Sequence, residues 1–250
     1  MASYLRRDTG GAVSEWRHMT RIVDLTQPTS RDSQTHPSFP APMILPYRTH
    51  ADGPSETSDR SSRSEMLIIS NHAPTHIDAI SHFSPDPSAD NIDEMALETF
   101  YGPAVCLDFR QFPARHYVTL AEFKDVLADS GQEIGAGDIV LFCTDHFNRT
   151  AGTPEYLTEF SGINDEIVHW LADEGAKAFG VETISPDLPM VTSAYPSHQA
   201  CSDRSLTHYE NLCNLAEVVG RRFTFCGFPL RLVGASGSPV RAVAILETKC

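Results

Sequence analysis

The run Asn71-His72-Ala73-Pro74-Thr75-His76-Ile77-Asp78-Ala79-Ile80-Ser81-His82-Phe83 places three imidazoles and a carboxylate between positions 72 and 82. These side chains together form the usual ligand set of a Zn²⁺ or Mn²⁺ site. Histidine is also the side chain best suited to moving protons near neutral pH. All four fall on even positions. In one straight strand they would share a face but spread over roughly 33 Å, too far for one ion. In a helix His72 and His76 would be neighbours, but Asp78 would point away and Pro74 opposes helix formation. The arrangement that works is a strand ending near His72, a turn at Ala73-Pro74 and a short extended piece. It brings His72 beside His76 and Asp78 and leaves His82 to face an activated water. The spacing points to metal-dependent hydrolysis. The plainer alternative, a structural or exposed role for each histidine, stays open on spacing alone.

Working outward, residues 66–70 are apolar and read as a strand running into the cluster. Upstream, residues 1–20 read as a loose arm and residues 21–26 as a short strand. The proline-rich stretch 28–46 is expected to be extended, and 48–64 an exposed loop. Downstream, residues 103–109 read as a strand. Thr119-Leu120-Ala121-Glu122 matches a capping box, and apolar residues follow at helical spacing up to Gly131. Ile139-Val140-Leu141-Phe142-Cys143 reads as a strand covered on both faces. Residues 164–174 read as a helix with Asp165 and Glu166 in its first turn and Gly175 at its end. Residues 177–184 are expected to be a strand and 206–219 partly helical. Two closing strands, 222–233 and 240–247, flank Gly234-Ala235-Ser236-Gly237-Ser238-Pro239. That turn lacks the GK[ST] ending of a phosphate-binding loop and reads as an ordinary hairpin connection. The pattern is mixed α/β with no internal repeat and no clear linker, so residues 21–250 are expected to form one domain.

Composition narrows the function. The chain has 250 residues, and 41% hydrophobic content supports a substantial core. Acidic residues outnumber basic ones, 33 against 19, for a formal charge of −14. Such a surface repels phosphate backbones, and no basic run offers a grip for an anionic membrane, so neither nucleic acid nor membrane is expected as a partner. No apolar stretch approaches the roughly 20 residues of a bilayer span, and residues 1–16 lack the apolar middle of a secretion signal, so a cytoplasmic protein is expected. The six cysteines form no CxxC pair and read as buried or idle thiols.

Set against known signatures, His72-Ala73-Pro74-Thr75-His76-Ile77-Asp78-Ala79-Ile80-Ser81-His82 resembles the HxGTHxDxPxH signature of the cyclase family of metal-dependent hydrolases, which includes bacterial kynurenine formamidase and isatin hydrolase. Val23-Asp24-Leu25-Thr26 resembles the family's opening strand and Gly137-Asp138-Ile139-Val140-Leu141-Phe142 its central strand. Gly180-Val181-Glu182-Thr183 with Ser185-Pro186-Asp187, then Glu210-Asn211-Leu212 and Gly237-Ser238-Pro239-Val240-Arg241, resemble its later motifs.

The resemblance implies a swivelling β/β/α fold with a small barrel-like sheet flanked by helices, and a homodimer or higher oligomer. It implies His72, His76 and Asp78 as metal ligands. His198 and Glu210, twelve residues apart, would complete the site or hold a second ion, giving one or two Zn or Mn ions per subunit. His82 is implied as the proton-transfer group. The substrate expected is a small amide, formamide, lactam or lactone; a cyclase or dehydratase of secondary metabolism is the alternative.

Two positions depart from the family: its glycine is Pro74 here and its proline Ile80, which changes the backbone options of the loop. Phe39, Phe83 and Phe147 are candidates to contact substrate, as is Tyr195. For each the plainer reading is a core residue. His146, after the central strand, reads either as a support to the site or as an exposed loop residue.

Overall fold

The computed structural model describes residues 19–55, 58–188 and 190–248. Most of the expected N-terminal arm lies outside the described residues, but Met19 and Thr20 already belong to the first strand. Nine strands form one sheet. In chain order they are β1 (Met19–Asp24), β2 (His76–Asp78), β3 (Tyr101–Asp108), β4 (Ile139–Cys143), β5 (Ala178–Val181), β6 (Thr207–Glu210), β7 (Arg222–Cys226), β8 (Gly237–Pro239) and β9 (Val243–Thr248). Across the sheet the order is β1-β9-β7-β3-β4-β5-β6-β2-β8. The central neighbours β3, β4, β5 and β6 run parallel, and every pairing outside them is antiparallel. The sheet curls strongly. Thr26, just past β1 at one edge, bridges to Leu212, just past β6 near the other, and Cys213 N–H donates to Leu25 C=O at 3.0 Å.

Five helices accompany the sheet: α1 (Ile80–Phe83), α2 (Leu120–Ser130), α3 (His146–Thr150), α4 (Asp165–Asp173) and α5 (Pro196–Arg204). The central strands explain their continuous apolar runs. In β4, Ile139, Leu141 and Cys143 enter the core inside the curl, while Val140 and Phe142 enter the core beneath the helices. Strict alternation along a strand buried on both sides requires apolar residues at every position. Phe123 and Val126 of α2, Ile167, Val168 and Leu171 of α4, and Ala200 and Cys201 of α5 fill the helix side.

The capping box forms as read. Glu122 N–H donates to Thr119 Oγ1 at 3.3 Å, and the Glu122 carboxylate accepts from Thr119 N–H at 2.8 Å. Gly131 closes α2 with a left-handed φ of 64°.

Three sequence expectations change. Residues 196–204 form α5, which was not anticipated, because Pro-Ser-His-Gln-Ala-Cys-Ser-Asp-Arg carries no apolar stripe at helical spacing. Residues 206–219 are not helical in the way expected: they hold β6 and a single 3₁₀ turn, Leu215–Glu217. Leu206, Tyr209, Leu212 and Leu215 recur every third residue and are all buried, which imitates a helical face. The turn at 234–239 does more than connect. It carries β8, which pairs with β2 at the far edge while β7 and β9 pair with each other.

The strand expected at 66–70 is Ser64–Ile68, joined antiparallel to Met43–Arg48 in a hairpin apart from the main sheet. Its Met66, Leu67 and Ile68 are exposed, as are Met43, Leu45 and Tyr47 opposite. No described helix is long and apolar enough to cross a membrane. Among the described residues the cysteines are free, with Cys106, Cys143, Cys201 and Cys213 buried.

Candidate metal centre

Strand alternation builds the centre. In β2, Ile77 enters the core inside the curl, so His76 and Asp78 share the opposite face. The neighbouring β6 is antiparallel, with Glu210 opposite His76 and Tyr209 opposite Ile77. Tyr209 packs into the same core as Ile77, so Glu210 and His208 face the same way as His76 and Asp78. One step on in that register, His208 stands across from Asp78, its Nε2 3.4 Å from Asp78 Oδ2. His72 arrives from the turn before β2. Its Nδ1–H donates to Asp78 Oδ1 at 2.7 Å, and its Nε2 accepts from Ser236 Oγ at 2.9 Å. His82 comes from α1, with Nε2 3.7 Å from Asp78 Oδ2.

His198 comes from the first turn of α5. Asp187, fully buried, accepts from the backbone N–H of Ser197 at 2.8 Å and of His198 at 3.0 Å, and from His198 Nδ1–H at 2.7 Å. One carboxylate thus starts the helix and turns His198 Nε2 inward, 3.8 Å from both Asp78 Oδ2 and Glu210 Oε1. His76 is fixed by its own loop: Nδ1–H donates to the Pro74 carbonyl at 2.9 Å, leaving Nε2 3.2 Å from Asp78 Oδ1 and 3.4 Å from Glu210 Oε2. A proline keeps its carbonyl, so Pro74 still supplies this acceptor.

The electrostatics draw positive charge to the cluster. Burial raises the Asp78 carboxyl, but hydrogen bonds from His72 and His76 hold it well below the usual range. Burial also raises Glu210, and hydrogen bonds from His208 and His76 bring it down to about 2. Burial pushes His76 down, yet Asp78 and Glu210 outweigh it and raise the imidazole to about 10. His198 is raised because Asp187 overcomes the effect of burial. His82 differs: burial dominates and lowers it to about 4, leaving a neutral imidazole. Two buried, ionised carboxylates are stable only with compensating positive charge.

Asp78 Oδ2 tests whether a metal fits. It is buried and has no hydrogen-bond partner. His208, His82 and His198 present Nε2 to it at 3.4, 3.7 and 3.8 Å. These separations exceed a hydrogen bond of about 2.7–3.2 Å. Donors held about 2.1 Å from a tetrahedral ion stand about 3.4 Å apart, so the spacing fits atoms that share an ion. Two overlapping donor sets meet at Asp78, one of His72, His76 and Asp78, the other of Asp78, His198, His208 and Glu210, each with its donor atoms within 4.8 Å of one another.

A cavity of about 350 Å³ opens onto the cluster, lined by His36, Phe39, His82, Phe83, Ile184, Tyr195 and His198 among others. Phe39 stacks on His72 with ring centres 5.2 Å apart. Phe83 stacks on His208 at 5.8 Å.

All five residues expected as ligands therefore converge, with His82 beside them and Phe39 and Phe83 at the cavity. Phe147 is elsewhere. It packs edge-on against Tyr156 in another apolar cluster and is not among the residues lining the cavity. His146 is neither exposed nor in the cluster: it is buried, donating through Nε2 to the Tyr156 carbonyl at 2.8 Å. Sequence reasoning missed His208, His36 and Ser236. The Thr-His-Tyr-Glu alternation of β6 was the available signal for His208, masked by the helix-like spacing around it.

A mixed α/β scaffold whose strands and one helix start aim imidazoles and carboxylates at a single unpaired oxygen defines a candidate metal-site protein. The sequence narrows this further. Residues 23–188 match the family described as Putative cyclase. Kynurenine formamidase of Bordetella pertussis is 30% identical over 227 residues, covering 90% of this chain and 98% of that one. Among solved structures, isatin hydrolase A from Ralstonia solanacearum is similar at 27% identity and a TM-score of 0.78, over 91% of this chain and 92% of that one. An isatin hydrolase bound to the product analogue thioisatinate shares the fold at a TM-score of 0.80 and 21% identity, over 92% and 93% of the two chains. The chain belongs to the cyclase family.

Proposed function

We propose that this protein is a metal-dependent hydrolase that opens an amide, formamide, lactam or lactone bond in a small aromatic or cyclic substrate. The observation that carries the reading is the unpartnered Asp78 Oδ2, surrounded by imidazole nitrogens of which those of His82 and His198 belong to residues lining an adjoining aromatic cavity. His72, His76, Asp78, His198 and Glu210 would hold one or two Zn or Mn ions. When bound, such an ion supplies Lewis acidity, making water nucleophilic near neutral pH and polarising a carbonyl.

The chain's own residues do the rest. His82 is partly exposed to the cavity and neutral, so its Nε2 can take the proton of the attacking water and return it to the leaving nitrogen or oxygen. Asp78 Oδ2 lies 3.7 Å from the same Nε2, and its negative charge would steady the imidazolium formed in that transfer. Phe39 and Phe83 flank the approach with flat apolar faces suited to an aromatic ring. The kynurenine formamidase and isatin hydrolase relatives support this substrate class. The exposed apolar hairpin of Met43–Arg48 and Ser64–Ile68 supports a homodimer.

The deciding experiment loads purified protein with Zn²⁺ or Mn²⁺ and screens N-formylkynurenine, isatin and simple lactones in ¹⁸O-labelled water. Turnover with ¹⁸O in the product is expected. Ring closure without label would establish the cyclase alternative instead. Failure to bind either ion at saturation would end the metal-centre reading.

A further inference from the structure

His208 has no place in the ligand set that the signature implies, yet it is the least accessible imidazole of the cluster, with none of its surface exposed. Its ring is sandwiched. Phe179 stacks on it at 5.1 Å and 14°, and Phe83 at 5.8 Å and 20°. This clamp fixes the ring plane and sends the two nitrogens to different neighbours. Nδ1 meets Cys201 Sγ at 3.6 Å, at the base of α5. Nε2 meets Glu210 Oε1 at 3.2 Å and Asp78 Oδ2 at 3.4 Å.

We propose that His208 is itself a metal ligand, donating Nε2 to a divalent ion shared with Asp78, His198 and Glu210, while Nδ1–H is held by Cys201.

The alternative is an imidazole that only packs and hydrogen-bonds. A proton on Nε2 can serve one acceptor, and Glu210 Oε1 is the nearer. Asp78 Oδ2 then keeps no partner despite full burial, which is costly for a charged group. A cation in the same space satisfies both carboxylates and the Nε2 lone pair at once. Cys201 suits this arrangement. Its buried Sγ stands 3.6 Å from Nδ1, within reach of a weak hydrogen bond to that nitrogen. With Nδ1 engaged there, Nε2 is the nitrogen aimed at the two carboxylates, and a ligating histidine usually holds its other nitrogen in such a contact. Helix α5 therefore serves the centre twice, by supplying His198 directly and by holding His208 through Cys201.

The inference rests on the metal-centre reading, and the test separates the two. Protein stripped by chelation is reloaded with Zn²⁺ alone. In the wild type, the imidazole ¹⁵N resonances are followed during loading, with His208 assigned through its Phe83 and Phe179 neighbours. His208→Gln is compared by competition with a chromophoric chelator and by zinc X-ray absorption. Support consists of a zinc-dependent shift of His208 Nε2, one fewer imidazole per protein in His208→Gln, and Zn²⁺ affinity at one site weaker by about 10–100-fold or more. Wild-type protein that binds Zn²⁺ while His208 Nε2 stays unmoved overturns the proposal and leaves the metal centre standing. Unchanged affinity and imidazole count in His208→Gln would do the same. Wild-type protein that binds no Zn²⁺ removes both. The wild-type resonance decides the matter even if the variant fails to fold.

Discussion

Asp187 divides one buried carboxylate between a helix start and an imidazole, accepting from two backbone N–H groups and from His198 Nδ1. Asp187→Asn turns one of these acceptors into a donor facing N–H groups. It is expected to weaken Zn²⁺ binding about 10–100-fold while far-UV circular dichroism stays native; a competition titration measures the change, and unaltered affinity would mean that His198 is oriented by other means. His82 behaves differently because it is neutral and partly exposed. His82→Ala is expected to lower kcat by about 10²–10⁴-fold with metal content near normal, checked by elemental analysis beside single-turnover assays. Loss of the ion in that variant would move His82 into the ligand set. At this scale the signature residues were readable, since their types and spacing suit only a few backbones. Asp187 belongs to a recognisable Ser-Pro-Asp motif, but its role depends on a helix whose sequence has no stripe.

Among the elements, β8 is the one whose role its sequence hides. Gly237 lies opposite Asp78, and a Cβ there would come 2.7 Å from His72 Cε1 and 2.8 Å from the Ile77 carbonyl. The glycine makes room for the His72 ring. Gly237→Ala should displace His72, weakening Zn²⁺ binding at least about 10-fold and costing about 1–3 kcal/mol of stability through overpacking. Chelator competition and chemical denaturation would measure these effects, and normal values for both would show that the edge strand can yield. The strands β3, β4 and β5 and the helices α2 and α4 were legible because burial on two faces, a capping box and a helical stripe are local patterns. The strand β6 was not. Its apolar residues recur every third position because strand and turn alternately feed one core, and local periodicity cannot separate that from a helix.

For the molecule as a whole, strand pairing is the decisive feature, since it sets β6, β2 and β8 side by side while α1 and α5 bring His82 and His198 to Asp78. A divalent ion that binds only the folded arrangement stabilises it by RT ln(1 + [M]/Kd), about 2.7 kcal/mol at one hundred times Kd. Chelation is therefore expected to lower Tm by several degrees, with recovery on adding Zn²⁺ or Mn²⁺. Identical melting curves with and without chelator would contradict a centre that ties these elements together.

The sequence by itself determined the chemistry on offer: imidazoles and carboxylates at positions 72, 76, 78, 82, 198 and 210, a mixed α/β chain, and the cyclase family to which they belong. These are matters of residue type, spacing and short-range periodicity, which a chain displays without being folded. Only the tertiary structure decided that His208 stands beside them, that Phe147 does not line their cavity, and that Ser236 and Asp187 hold the His72 and His198 rings. Those outcomes turn on which strand lies beside β2 and in what register, and on where a helix without a stripe begins. Contacts between residues far apart in the chain set both, and the local sequence does not encode them.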